Sequence, residues 1–211
     1  MPSTLLGEQT LKKIMIAAVV AVGLTTSGGR ALAGVIIDIS QVGGNVAVDA
    51  SGSVNLSALT RLGDGAAFAY VIGSLGQVVV GSPTPGDFDV WGIVAGPKTL
   101  GPGGIFTASS GSGDTFGVEG SGGFSVPVLL LPTNYVSGSG LSASDTYSNT
   151  SIAALGLTPG TYTYTWGTGD SADSLTVNIS GVPEPSSLAM VATAMGLLGG
   201  FALHRRRRNK R

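Results

Sequence analysis

Six residues near the end of the chain, Thr161-Tyr162-Thr163-Tyr164-Thr165-Trp166, alternate hydroxyl and aromatic side chains without a break. A period of two puts Tyr162, Tyr164 and Trp166 on one face of an extended strand, whereas on a helix they would scatter around the axis. The stretch can bury its rings together only as a half-buried strand. A turn-rich segment, residues 167–173, leads to residues 174–179, where Leu175, Val177 and Ile179 again share a face. The two runs are expected to pair as an antiparallel hairpin with a seven-residue loop. Just before it, Leu157-Thr158-Pro159-Gly160 reads as a turn, with Pro159 at the first central position and Gly160 supplying positive φ at the second.

Further short runs suited to strands cover residues 35–39, 45–49, 67–72, 77–80, 89–94, 115–119 and 125–131. Glycine, 35 of the 211 residues, separates them with proline, and helical periodicity is missing from this region. Because each sheet of such strands must bury one face, the expected fold class is all-β, an antiparallel sandwich of jelly-roll or immunoglobulin-like type spanning residues 34–181. Residues 101–104 and 109–114 are too rich in glycine and serine for a packed element and read as flexible loops. Neither carries the glycine spacing of a phosphate-binding loop.

Charge is divided unevenly along the chain. Ten of the twelve acidic residues fall within residues 34–181, where the only cations are Arg61 and Lys98, giving that stretch a charge near −8. Such a body repels phosphate backbones, so nucleic acid is not an expected partner. There is no cysteine, which removes disulfides, thiol nucleophiles and cysteine-based zinc sites. The only histidine, His204, lies far outside the body, so no body serine can draw a histidine general base from it.

Both ends carry export signals. Lys12 and Lys13 precede an apolar stretch, residues 14–24, and a polar segment then leads to Ala31-Leu32-Ala33. This is the layout of a secretory signal peptide over residues 1–33, with Ala31 and Ala33 in the small-residue positions and cleavage expected before Gly34. At the other end, Val182-Pro183-Glu184-Pro185 is followed by an apolar run over residues 188–203. That run extends about 24 Å as a helix and, with Ser186 and Ser187, approaches the thickness of a bilayer core. Arg205, Arg206, Arg207, Arg208, Lys210 and Arg211 come next, and the positive-inside bias keeps them in the cytoplasm with the body on the far side. Within the apolar run Ala192, Gly196 and Gly200 recur every four residues on one helix face. They form a surface that could dock a partner helix, or simply keep the segment weakly hydrophobic.

The order Pro-Glu-Pro, short membrane helix, arginine cluster resembles the PEP-CTERM sorting signal of Gram-negative envelope proteins. Two landmarks of the body, Tyr135-Val136-Ser137-Gly138 with Leu141, and the run from Leu157 to Gly167, are similar to those of proteins that carry this signal. The resemblance implies an exosortase as the processing partner, acting at Pro183, Glu184 and Pro185, with signal peptidase and the export translocon acting earlier. It further implies a transient inner-membrane anchor, delivery to the cell surface or extracellular matrix, and an association with exopolysaccharide and biofilm. It brings no catalytic residues, no cofactor and no metal.

Candidate sites within the body are few. Asp87 with Asp89, and Asp170 with Asp173, are spaced so that they could contribute oxygens to a Ca²⁺ ion, although solvated loop acids are the commoner outcome and neither pair matches an EF-hand loop. The same acids leave a carboxylate-dependent glycan hydrolase open, because carboxylate separation is set by the fold. Tyr162, Tyr164 and Trp166, if exposed, would make a platform for carbohydrate; if turned inward, they are core. The leading expectation is a non-enzymatic exported protein, with a carbohydrate-binding module as the alternative.

Overall fold

The hairpin expected from the Tyr/Thr alternation is present. The computed structural model describes residues 34–92, 95–124 and 126–181. In chain order the strands are β1 (Gly34–Val42), β2 (Asn45–Gly52), β3 (Arg61–Ala67), β4 (Tyr70–Ile72), β5 (Gln77–Val80), β6 (Gly86–Gly92), β7 (Ile105–Thr107), β8 (Ser110–Gly113), β9 (Phe116–Glu119), β10 (Val128–Pro132), β11 (Leu141–Tyr147), β12 (Gly160–Trp166) and β13 (Asp173–Ile179). Among the described residues the only helical pieces are three single 3-10 turns, Leu56–Ala58, Gly73–Leu75 and Gly169–Ser171.

The strands form two sheets. One has six strands in the order β12-β13-β1-β2-β11-β8, and the other seven in the order β3-β6-β10-β9-β5-β4-β7. Pairing is antiparallel throughout except between β1 and β13, which lie parallel with Gly34 beside Ser174 and Ile39 beside Ile179. The chain crosses between sheets at residues 53–60, 108–109, 114–115 and 133–140. At residues 108–109 the Ala108 N–H donates to the Ala69 carbonyl, just before β4 of one sheet, and the next N–H, that of Ser109, to Thr146 of the other.

One apolar core fills the space between the sheets. Val35, Ile37, Ile39, Val46 and Val48 enter from one sheet, and Val78, Val80, Phe116, Leu129 and Leu131 from the other. The six-stranded sheet alternates buried and exposed positions, as in β11 and β13, because its outer face meets water. Central strands of the seven-stranded sheet do not alternate. Gln77-Val78-Val79-Val80 and Val128-Leu129-Leu130-Leu131 are buried at every position. Val79, Val90, Val128 and Leu130 form a second apolar cluster on its outer side, flanked by Ala67, Tyr70 and Phe88.

Several expectations need correction. Residues 110–113, read as loop, form β8, which is held by backbone pairing to β11 and needs no apolar side chain. Residues 101–104 are packed: the Gly103 N–H donates to the Gly156 carbonyl and its own carbonyl accepts the Ser74 N–H. The run 67–72 is split between β3 and β4, since the Ala69 N–H turns away to the Ser82 carbonyl. The last hairpin loop is residues 167–172, because Asp173 already pairs with Trp166. Gly160 has the positive φ expected of it (158°) but opens β12, and the left-handed turn glycine before the strand is Gly156 (φ 64°). Gly156 closes a helix-like turn in Schellman fashion, with its N–H on the Ala153 carbonyl and the Leu157 N–H on that of Ile152.

Candidate functional site

Pro183, Glu184, Pro185, Ala31, Ala33, Ala192, Gly196, Gly200 and Arg205 to Arg208 lie outside the described residues. Among the described residues no helix is long and apolar enough to cross a membrane, and the apolar run 188–203 is not among them. Gly34 is described. It is the first residue of β1, beside Ser174, and its carbonyl accepts the Ser53 N–H.

The three aromatic residues of β12 are core, not platform. Tyr164 is 0% and Trp166 2% exposed, and Tyr162 packs half-buried against the same core with its hydroxyl donating to the Thr158 carbonyl. A carbohydrate platform on these rings is therefore overturned by their burial.

The two acid pairs do not converge on a cation either. Asp89 is 4% exposed and accepts Arg61 Nη2 at 2.8 Å and the Asn134 N–H at 3.2 Å, while Asp87 is exposed. The hydrogen bond from Arg61 holds the Asp89 carboxyl below its ordinary value, against a smaller opposing effect of burial. Asp173 is buried, with Oδ2 accepting the Asn55 N–H at 2.6 Å and Oδ1 the Ser174 N–H at 2.7 Å. Burial raises its carboxyl despite those bonds. Asp170 sits in the 3-10 turn of the same loop, where its carbonyl accepts Asn55 Nδ2. Among the described residues no three His, Cys, Asp or Glu side chains come together as metal ligands.

The structure does unite the two body landmarks, at a place the sequence does not advertise. Residues 53–60 carry the chain from β2 to β3, and they are fastened from both landmarks at once. The Tyr135 hydroxyl accepts the Val54 N–H at 2.9 Å and donates to the Ser139 carbonyl. The Gly138 N–H donates to the Val54 carbonyl, and Ser137 Oγ accepts the Leu56 N–H at 3.0 Å. From the other landmark, Trp166 Nε1 donates to the Asn55 carbonyl at 3.0 Å. Asp173 completes the clamp by taking the Asn55 N–H. A segment that leaves one sheet for another has no ladder to satisfy its backbone, and these side chains supply the missing partners. The landmarks hold the fold together.

Two surface features remain. On the outer face of the six-stranded sheet, Thr161, Asn178, Asp38, Asp49, Ser144 and Ser112 stand in one row across all six strands. Thr161 donates to Asn178 at 3.1 Å, Asn178 Nδ2 to Asp38 at 2.9 Å, and the Ser112 and Ser144 hydroxyls lie 3.4 Å apart. A shallow open depression of about 310 Å³ covers the Asp38, Asp49, Ser142 and Ser144 part of this face. A second hollow of about 360 Å³ lies beside Trp166, lined by Ala58, Ala95, Thr165 and Thr168. Asp145 is the buried acid that sequence reasoning missed. It occupies an inward position in the alternation Leu141, Ala143, Asp145, Tyr147, and an acid on an apolar phase is the signal that could have found it.

No protein-family model matches the chain, and neither a curated protein nor a solved structure is significantly similar to it.

Proposed function

We propose that this is an exported envelope protein sorted by its C-terminus and processed by an exosortase. The observation that carries the reading is the order of Pro183-Glu184-Pro185, the apolar residues 188–203 and the cluster Arg205, Arg206, Arg207 and Arg208. In the precursor the apolar segment spans the inner membrane as a helix with the arginines in the cytoplasm. Removal of residues 1–33 by signal peptidase, and of the tail by the exosortase, leaves the body for the cell surface or the extracellular matrix, in association with exopolysaccharide. Among the described residues the thirteen strands of the body run from Gly34 to Ile179, between the two boundaries. Within the all-β class we assign the body to the jelly-roll or immunoglobulin-like sandwiches and read it as non-catalytic.

A second reading, a carbohydrate-binding module, is favoured by the hydroxyl, amide and carboxylate row on the six-stranded sheet, which offers donors and acceptors to a hydroxyl-rich chain. On this reading the binding surface is that outer face and not the buried rings of β12.

The test is Glu184→Ala in a host with the matching exosortase. Two prolines keep the motif extended, and Glu184 offers a negative handle to a cationic pocket. Export should persist while full-length protein accumulates in the inner membrane. An identical processed mass for variant and wild type would show that recognition does not use the motif and would favour a plain tail anchor.

A further inference from the structure

Asp145 belongs to the six-stranded sheet but is bonded to the other one. It lies on β11 and is 3% exposed. Both its carboxylate oxygens accept the same donor, the Gly81 N–H, at 3.2 and 3.4 Å, and Gly81 directly follows β5 of the seven-stranded sheet. Gly111 of β8 is its pairing partner, and a Cβ at that position would overlap both Oδ1 and the Gly81 carbonyl. The missing side chain is what admits the carboxyl between the sheets. Two residues along β11, Tyr147 is also turned inward, and its hydroxyl is buried without a hydrogen-bond partner.

The electrostatic surroundings are unusual for an acid. Among the described residues one backbone N–H is its hydrogen-bond donor, and no cation is paired with it. The titratable groups that act around it are Asp49 on β2, which repels its charge, and Tyr147 on its own strand. The strands β5 and β8 and the turn residues 81–85 carry no titratable side chain. An ionised carboxylate with so little compensation is costly to bury, and protonation removes that cost.

We propose that Asp145 is an acid-operated latch between the two sheets: protonated, it lets β8 and β11 close on Gly81, and ionised, it drives their separation. Burial, with a smaller contribution from Asp49, raises this carboxyl to about 7, so the latch works in the neutral range. The sign follows from proton counting. Between the ordinary carboxyl value of 3.8 and about 7 the closed form holds one proton more than the open form. Closure therefore weakens as pH rises through this window, by up to about tenfold per pH unit, and levels off above it.

Hydrogen exchange on the purified full chain in a non-ionic detergent, between pH 5 and 8, tests this. Exchange in β8 and β11 is corrected for its intrinsic pH dependence and referred to β1 and β13. In the wild type, relative protection of β8 and β11 should fall as pH rises. Asp145→Asn should abolish that fall, and Asp49→Asn, an exposed change that removes the repelling charge, should move it to lower pH. Should Asp145→Asn fail to fold, the Asp49→Asn shift still decides. Protection independent of pH in the wild type, a fall that persists in Asp145→Asn, or an unmoved window in Asp49→Asn would each overturn the proposal.

Discussion

Replacing Trp166 by Phe separates a structural landmark from a binding one. The ring is 2% exposed at the end of β12, and its Nε1–H is 3.0 Å from the Asn55 carbonyl on the crossing segment. Phenylalanine removes that donor, which leaves a part-buried carbonyl unsatisfied at a cost of about 1–2 kcal/mol. It is also roughly 40 Å³ smaller, and at about 24 cal/mol per Å³ of residual cavity this adds about 1 kcal/mol. Together these destabilise the body by about 2–3 kcal/mol, or about 5–10 °C in Tm for a domain of this length. Tyr164→Phe is the control. Its hydroxyl reaches the Gly76 carbonyl at 3.3 Å, but that carbonyl also accepts the Gly120 N–H, so little is orphaned. A cost below about 1 kcal/mol is expected there. Thermal melts of residues 34–181 carrying each change would measure both. Equal Tm shifts for the two variants would refute the idea that the Trp166–Asn55 bond fastens the crossing segment.

Two further outcomes follow from the same geometry. Asp89, held below its ordinary value by Arg61, contributes stability that is fully present above about pH 4 and is lost as pH falls through its lower folded value. Arg61→Met should therefore lower the urea midpoint at pH 7 and flatten the decline between pH 5 and 2; a decline as steep as in the wild type would assign it to other carboxylates. Gly117→Ala should be more damaging than its size suggests, because a Cβ there overlaps the Val78 carbonyl of the neighbouring strand, whereas at Gly43 it meets nothing and only the left-handed φ of 59° resists it. Urea midpoints should show Gly117→Ala costing about 1–3 kcal/mol or more, against about 1 kcal/mol for Gly43→Ala.

How much of this was legible depended on what each strand buries. β12 and β13 alternate along the chain because one of their faces meets water, and their pairing with each other follows from that pattern and the short loop between them, whereas the parallel pairing of β13 with β1 does not. β5 and β10 read as short apolar runs for the opposite reason, being covered on both sides. Arg61–Ala67 and Ser110–Gly113 were not legible at all. They are edge strands, Ser110–Gly113 without an apolar side chain and Arg61–Ala67 with no buried residue, extended because a neighbour's backbone pairs with them. β11 stood between these cases. Its alternation of Leu141, Ala143, Asp145 and Tyr147 with Ser142, Ser144 and Thr146 has period two, but serine and an inward acid mask it.

The candidate site divides along similar lines. A sorting signal is a linear feature, written in the order of a motif, an apolar run and a charge cluster, and can be read from one stretch of chain. The roles of Tyr135, Ser137 and Trp166 are non-local. Their partners, Val54, Leu56 and Asn55, lie 81, 81 and 111 residues away, and no spacing rule connects them. The same holds for Asp145, whose sequence shows only an acid on the wrong phase, while its consequence depends on the Gly81 N–H 64 residues away and on the room left by Gly111. What distinguishes an inward acid that merely weakens a core from one that switches it is the number of donors that fold around it. One shared N–H is too few to hold the ionised form at no cost, so here burial places the acid's charge under the control of pH.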